Sequence, residues 1–219
     1  MQRKLIQTED GSSSLYIPEL DEHYHSTHGA VQESMHVFIE TGLNTIKKDS
    51  LSIFEMGYGT GLNYLLSFLN RKNKSINYYC IEAFPLEKEL VAQINYNTHL
   101  KLDNEAQQAF QLIHSEESNH QINTHFNLYR QHCKLSDYIA PKPVDLIYFD
   151  AFAPDVQPHL WTKDVFDKMF DMLNPEGILT TYCAKGVVRR TMLAAGFNVE
   201  RLPGPPGKRE ILRATKPCV

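Results

Sequence analysis

Leu51-Ser-Ile-Phe-Glu-Met-Gly-Tyr-Gly-Thr-Gly-Leu-Asn63 decides how the rest of the chain is read. Leu51, Ile53 and Phe54 lead into an acidic residue, Glu55, and glycines follow at positions 57, 59 and 61. Leu62, Leu65, Leu66 and Leu69 then recur at helical spacing, so the stretch predicts a buried strand, a tight turn and a helix. Glycine tolerates positive φ and lets a ligand approach the backbone. A helix starting near Gly61 would point its free N–H groups at that ligand. A turn with no ligand would not require three glycines in five positions, because each sacrifices backbone entropy. The pattern is that of a nucleotide-type site.

Two cofactors compete for it. A dinucleotide fingerprint is G-x-G-x-x-G with an acidic residue about 20 positions on. Gly57, Gly59 and Glu82 fit, but Leu62 stands where the third glycine belongs. Glu55, two residues before the first glycine, would repel a pyrophosphate and could meet the ammonium of an amino-acid moiety. That favours S-adenosylmethionine, which carries a sulfonium and an amino-acid tail and no phosphate. A nicotinamide-dependent dehydrogenase ranks last.

The 219 residues, 42% hydrophobic, suffice for one α/β domain with one core and a small appendage. No apolar run approaches the ~20 residues of a membrane helix. The first ten residues lack the apolar centre of a secretory signal, and Cys80, Cys133, Cys183 and Cys218 form no C-x-x-C. A reducing cytoplasm is therefore expected, with no disulfide framework, no metal and no membrane association. The net charge of −4 is uneven: residues 185–219 carry +6 and residues 1–184 carry −10. A basic end on an acidic body points to a polyanionic partner, although composition alone equally fits a solvated face of paired charges.

Along the chain, Asp10-Gly11 between Leu5-Ile6 and Leu15-Tyr16-Ile17 predicts a small β-hairpin. His23, His25 and His28 read as loop histidines, since no carboxylate or cysteine joins them at ligand spacing. A helix is predicted from Gln32 to Thr41, stopped by Gly42, and a second strand from Ile76 to Ile81. Glu82, at the tip of that strand, is placed to chelate ribose hydroxyls. Pro85 opens a helix to about Tyr96, residues 104–114 form another, Ser115 to Thr124 is a loop, and Phe126 to Cys133 a third strand. Val144-Asp-Leu-Ile-Tyr-Phe149 is a near-continuous apolar run, as a buried central strand should be. It ends in Asp150 at the carboxyl edge, where open α/β sheets bind ligands. A helix from Trp161 to Leu173, a turn at Asn174–Gly177, a strand from Ile178 to Cys183 and a helix from Lys185 to Ala195 follow. Residues 197–202 and 209–214 close the chain as a hairpin. The alternation predicts a doubly wound sheet with an antiparallel last strand.

Several of these pieces together resemble the methyltransferase part of the MnmC family, in its stand-alone MnmD-type form. They are Glu55-Met-Gly-Tyr-Gly-Thr-Gly-Leu-Asn63, Glu82-Ala-Phe-Pro85, Asp150-Ala-Phe-Ala-Pro154, Trp161-Thr162, Lys185-Gly-Val-Val-Arg-Arg190 with Ala195-Gly-Phe197, and Gly207-Lys-Arg-Glu210. Tyr24 to Phe38, with Glu33-Ser34, is a looser match. The glycine turn alone is generic to methyltransferases, whereas Asp-x-Phe-Ala-Pro with Trp-Thr and the closing Lys-Arg-Glu are specific.

The resemblance implies a Rossmann-like class I methyltransferase sheet with an antiparallel last strand and a small N-terminal β-hairpin extension. Residues 1–45 would be that extension, hairpin and helix, packed on a methyltransferase domain at 46–219. It implies S-adenosylmethionine-dependent methylation of the 5-aminomethyl group of the wobble uridine, often 2-thiouridine, in the tRNA anticodon loop. No FAD is expected, because the oxidase domain of longer relatives is absent, and no obligate protein partner. Cofactor binding falls to Glu55, Gly57, Tyr58, Gly59, Thr60, Gly61, Asn63, Glu82 and Asp150. Asp150 is also the catalytic residue, orienting the amine while its proton leaves to solvent. Tyr24 and Phe152 are stacking partners for the flipped base, as is Trp161 unless it packs in the core. Lys185, Arg189, Arg190, Lys208 and Arg209 would clamp phosphates. Where many methyltransferases place an acidic residue near adenine, this chain has Arg130-Gln-His-Cys133. The alternatives are a spermidine synthase-like aminopropyltransferase, whose cationic polyamine would not need a basic end, or another small-molecule N-methyltransferase, and an inert tRNA-binding module.

Overall fold

Asp10-Gly11 turns the chain between two antiparallel strands, Lys4–Gln7 (β1) and Ser13–Ile17 (β2), as expected. A third short strand, Glu22–His23 (β3), pairs with β2 and makes a three-stranded sheet of its own. The computed structural model describes residues 2–218. The hairpin turn has a second task, because Asp10 Oδ2 accepts the Gln32 N–H at 3.1 Å. Thr8 and Ser12 hydroxyls take the Ala30 and Val31 N–H groups at 3.3 Å. These bonds satisfy donors that a helix start leaves open. The helix they cap, Ala30–Ser34 (α1), begins two residues earlier than predicted and widens into a π turn over Met35–Glu40.

The main sheet starts with Ser50–Met56 (β4), followed by the glycine turn and the helix Leu62–Leu69 (α2). Next come Ser75–Ile81 (β5), the short helices Lys88–Val91 (α3) and Tyr96–His99 (α4), and the longer Asn104–Ile113 (α5). Asn119–Asn123 (β6), Phe126–Gln131 (β7) and Val144–Phe149 (β8) complete the first half of the sheet. The second half is Lys163–Met172 (α6), Leu173–Thr181 (β9), Gly186–Ala194 (α7), Asn198–Pro203 (β10) and Glu210–Thr215 (β11). The order is β10-β11-β9-β8-β4-β5-β7-β6. The pairs among β9, β8, β4, β5 and β7 are parallel, and β11 enters antiparallel between β9 and β10. The predicted doubly wound sheet with its antiparallel end is thus present.

Three local expectations fail for identifiable reasons. The helix predicted from Pro85 to Tyr96 is broken into α3 and α4. No residue of α3 is fully buried, and of its four residues Val91 alone packs against the core. Asn95, between them, accepts the Ser13 N–H at 2.8 Å and donates to Gly11 O at 2.9 Å. Such side-chain bonds compete with helix continuation. The loop predicted over 115–124 contains the edge strand β6, antiparallel to β7. Its residues other than Ile122, which packs against the core, are polar, as suits a strand at the edge of a sheet. The turn predicted at Asn174–Gly177 lies within β9 as an irregularity, with Glu176 at φ +62° and a register shift against β8.

Strand alternation sends Leu51, Ile53, Tyr78 and Tyr148 to a core under α2 and α5. Phe54, Met56, Ile147 and Phe149 go to a second core under α6 and α7. The chain leaves β4 toward β5 on one side and reaches β8 on the other, so the crevice where connections part lies at the β4–β8 junction. Ligands collect in such crevices at carboxyl strand ends.

Candidate active site

The tips of β4 and β8 are neighbours, with Met56 paired to Phe149, so the glycine turn and Asp150 meet side by side. A Cβ on Gly57 would lie 3.0 Å from Asp150 O, and Gly57, Gly59 and Gly61 have φ of +81°, +47° and +77°. The turn takes this shape because only glycine adopts such torsions without cost. Above it opens a cavity of about 930 Å³. Of the expected site residues, Gly57, Tyr58, Gly59, Thr60, Asn63, Glu82, Asp150, Tyr24, Phe152 and Lys208 line it.

Glu82 is held from two sides. Its Oε2 accepts the Gly59 N–H at 3.1 Å and its Oε1 the Phe84 N–H at 2.9 Å. Ile81, Ala83, Phe84 and, after β7, Leu135 give the wall beside it an apolar character. Arg130 is not part of that wall. It is 2% exposed and turned inward, donating to Ser115 O at 2.6 Å and Glu117 O at 2.8 Å. The segment Cys133 to Ser136 lines the cavity instead.

Asp150 Oδ2 accepts the Asn63 Nδ2 donor at 2.8 Å. Burial and the nearby Glu33 charge push its pKa up to about 7, against the opposing pull of Asn63 and Lys208. Asn63 Oδ1 is buried and has no hydrogen-bond partner among the described residues. An ammonium donor would satisfy it. Two glycines that admit close approach, a free amide acceptor and a carboxylate at a strand tip together fit S-adenosylmethionine.

Some placements correct the sequence reading. Glu55 is not a cavity residue: it is 0% exposed, receives the Tyr78 Oη donor at 2.8 Å, and burial raises its pKa to about 8. Its position on β4 alternates toward α2 and away from the crevice. Gly61 serves packing, since a Cβ there would lie 2.8 Å from Ile113 Cγ2 of α5. Trp161 is core, 6% exposed against Phe149 and Phe166, with Nε1 donating to Phe152 O at 2.8 Å. Lys185 is bonded to Asp155 and Lys208 to Glu33, so neither is a free cation. Lys185, Arg189, Arg190 and Arg209 lie outside the cavity lining. Asp150 with a pKa near 7 is also a better proton acceptor than an ordinary aspartate.

Two further lining residues, Arg3 and Tyr182, carried no sequence signal. Arg3 donates to Tyr24 Oη at 3.0 Å and to Phe84 O at 2.6 Å, tying β1 across the cavity. Tyr24 lies over the turn, its ring edge 3.1 Å from where a Gly59 Cβ would be, and packs edge-on to Phe152 at 5.3 Å. Glu33 and Tyr182 line the same end as Lys208. Among the described residues, no three His, Cys, Asp or Glu side chains group to hold a metal, and no helix is long and apolar enough to cross a membrane.

A family profile described as S-adenosyl-L-methionine-dependent methyltransferase matches residues 85–217. The chain is 28% identical, over 91% of its length, to the tRNA 5-methylaminomethyl-2-thiouridine biosynthesis bifunctional protein MnmC of Actinobacillus pleuropneumoniae, covering 33% of that protein. Its counterpart in Cupriavidus metallidurans is also 28% identical, over 94% of this chain and 33% of its own length. The chain thus spans about a third of the curated relatives it matches. Among solved structures, MNMC2 from Aquifex aeolicus superposes with a TM-score of 0.83 at 20% identity, over 100% of this chain and 72% of that one. A Pyrococcus furiosus methyltransferase gives 0.51 at 16% identity, over 80% of each chain.

Proposed function

The chain belongs to the S-adenosyl-L-methionine-dependent methyltransferase family, and from that premise we propose that it methylates the 5-aminomethyl group of wobble (2-thio)uridine in tRNA. The product is 5-methylaminomethyl-(2-thio)uridine. The observation that carries this reading is one cavity with Glu82 at one strand tip and Asp150 at another, on either side of the glycine turn. The relatives' names concern this same tRNA modification.

S-adenosylmethionine, when bound, supplies a methyl carbon for in-line attack by an amine. Gly57 and Gly59 would admit it to the backbone, Asn63 Oδ1 would accept from its ammonium, and Glu82 would take the ribose hydroxyls. Tyr58 and Thr60 shape the turn around it, Tyr58 through the Arg130 contact at 3.3 Å and Thr60 by accepting from Tyr96 Oη at 3.0 Å. Asp150 holds the acceptor. A primary alkylamine has a reference pKa of ~10.4 and arrives as ammonium. With its pKa near 7, still about 3 units below that of the amine, Asp150 orients the nitrogen and passes its proton on to solvent. Holding the lone pair in line is the larger contribution.

The target base must leave the anticodon stack to reach Asp150, and Tyr24 and Phe152 form an aromatic corner to receive it. Arg189, Arg190 and Arg209 are the cations left for phosphates, with Lys185 and Lys208 available if their carboxylate partners exchange. Residues 1–45 act as a roof on the methyltransferase domain at 46–219. The enzyme works in the cytoplasm, without FAD, metal or an obligate protein partner. The test is mass spectrometry of wobble nucleosides after incubating aminomethyl-rich tRNA with the protein and S-adenosylmethionine. Appearance of the methylaminomethyl nucleoside supports the assignment, and its absence with active controls overturns it.

A further inference from the structure

The acceptor end of the cavity carries an enclosed ion pair for which the methyl transfer itself has no use. Glu33, on α1, is 7% exposed, Lys208 comes from the loop between β10 and β11, and both line the cavity. Lys208 Nζ donates to Glu33 Oε1, and Glu33 Oε2 accepts the Ser26 N–H at 2.7 Å. Lys208 Nζ also lies 4.0 Å from the centroid of the Tyr182 ring, whose Oη donates to Ala151 O at 2.8 Å. Contacts therefore run in one line along the wall, from Asp150 through its neighbour Ala151 and Tyr182 to Lys208 and Glu33. The loop is firmly seated, since His36 Nε2 donates to Pro203 O at 2.8 Å and a Cβ on Gly207 would overlap the His28 ring. Enclosing an ion pair costs desolvation that a well-packed apolar pair would avoid. A wall needed only for closure would not be built this way.

We infer that Lys208 and Glu33 are specificity-determining residues that read the O4 and N3–H edge of a uracil ring. The inference rests on the amine-methylating reading of the site. An ammonium has three donors and a carboxylate about four acceptor sites. The bonds above occupy one of those donors and two of those acceptor sites. The pair thus still offers a donor beside an acceptor. Uracil presents the complement, with O4 accepting and N3–H donating. Cytosine presents the reverse, an amino donor beside a bare N3.

The order of groups agrees. In a 5-aminomethyluracil the amine, O4 and N3 follow one another around the ring, as Asp150, Lys208 and Glu33 do along the wall. The charges agree too, because the Asp150 carboxylate faces the ammonium while a pair that is neutral in sum faces the neutral ring. Tyr24, two residues before Ser26, and Phe152 are left to cover the faces of the base. The edge being read is the same whether position 2 carries oxygen or sulfur. Lys208 on this inference keeps its carboxylate partner and serves the base, and Arg189, Arg190 and Arg209 serve phosphates.

The test is binding, followed by fluorescence anisotropy on the full-length protein without S-adenosylmethionine. Three synthetic anticodon stem-loops differ only at the wobble position, which carries 5-aminomethyluridine, 5-aminomethylcytidine or 3-methyl-5-aminomethyluridine. The wild type should bind the first about 10²-fold more tightly than either of the others. Equal affinities overturn the inference, and this comparison needs no variant to fold. In Lys208→Met the uridine loop should weaken about 10- to 100-fold and the cytidine loop far less. The slope of log affinity against log salt should stay as in the wild type. A phosphate contact would instead weaken all three loops alike and reduce that slope by about one, and this result overturns the inference. Glu33→Gln has a carboxamide that donates as well as accepts, so its preference for uridine over cytidine should narrow to below about tenfold. A preference kept in full overturns the inference. No methyl transfer takes place in these measurements, so a failure here is distinct from failure of the proposed reaction.

Discussion

The two ends of the cavity are made of different material. At the donor end, Gly57 to Asn63 is one uninterrupted piece of chain shaped by left-handed glycine torsions. At the acceptor end, Tyr24, Glu33, Phe152, Tyr182 and Lys208 arrive from five separate segments and are fixed by side-chain contacts. A backbone-made site tolerates change in the side chains around it. A site made of side chains depends on each pairing being in place. On the proposed reading, the donor end would be generic and the acceptor end would hold the selectivity for one amine.

Asp150→Asn strains this division most. Methyl transfer to tRNA should fall about 10²–10⁴-fold. Affinity for S-adenosylmethionine, measured by calorimetry, should change by less than about tenfold, since the asparagine can still meet Asn63. Equal losses in both would mean that the ends are not separable.

Glu55, enclosed behind the donor end, offers the next largest effect. Its native pKa of about 8 lies above the ordinary carboxylate value, so its contribution to stability is full below about 4.5 and gone by about 8. Asp150, raised from 3.8 to about 7, acts with the same sign. His25, lowered to about 4, acts oppositely and costs stability as pH falls from 6.5. Between pH 6.5 and 8 the two carboxylates are therefore left unopposed by His25. Glu55→Gln keeps the shape without the charge and should flatten the alkaline decline. Its advantage over the wild type should grow across that window by at most about 2 kcal/mol in denaturant unfolding. A large loss of donor affinity in the same variant would return Glu55 to the ligand's immediate surroundings.

Gly61→Ala probes the backbone itself. The residue sits at φ +77°, and the new Cβ would come within 2.8 Å of Ile113 Cγ2. We expect a stability loss of about 1–2 kcal/mol by chemical denaturation, with the midpoint falling and the slope unchanged. A neutral result would mean that α2 and α5 can part to admit the methyl group.

The contrast between the ends also explains what could be read from residues alone. The strand, turn and helix around Gly57, the carboxylates at the tips of β5 and β8, and both hairpins are local patterns whose physics fits in a dozen residues. Glu33 and Lys208 are 175 positions apart, and nothing near either residue announces the pair. The break at Asn95 required knowing that the hairpin turn lies beside it. The depth of Glu55 followed from which face of β4 the sheet covers twice over. The basic C-terminal group was visible as composition, but composition could not tell that Lys185 and Lys208 already have carboxylate partners.

The smallest effect tests whether the roof belongs to the donor end or to the acceptor end. Arg3 joins Tyr24 Oη to the carbonyls of Phe84 and Pro85, at 3.0, 2.6 and 3.4 Å. It thereby ties the aromatic corner to the wall beside Glu82. The guanidinium is partly exposed, so water can replace much of what it provides, and its loss should cost about 0.5–1 kcal/mol. In Arg3→Ala, stopped-flow measurements should show S-adenosylmethionine leaving about two- to fivefold faster, with the association rate little changed. If release of the donor is unaltered while the KM for tRNA rises, the latch serves the base-binding corner. The boundary between the two ends would then run between Tyr24 and Gly59, although a Cβ on Gly59 would lie only 3.1 Å from the Tyr24 ring.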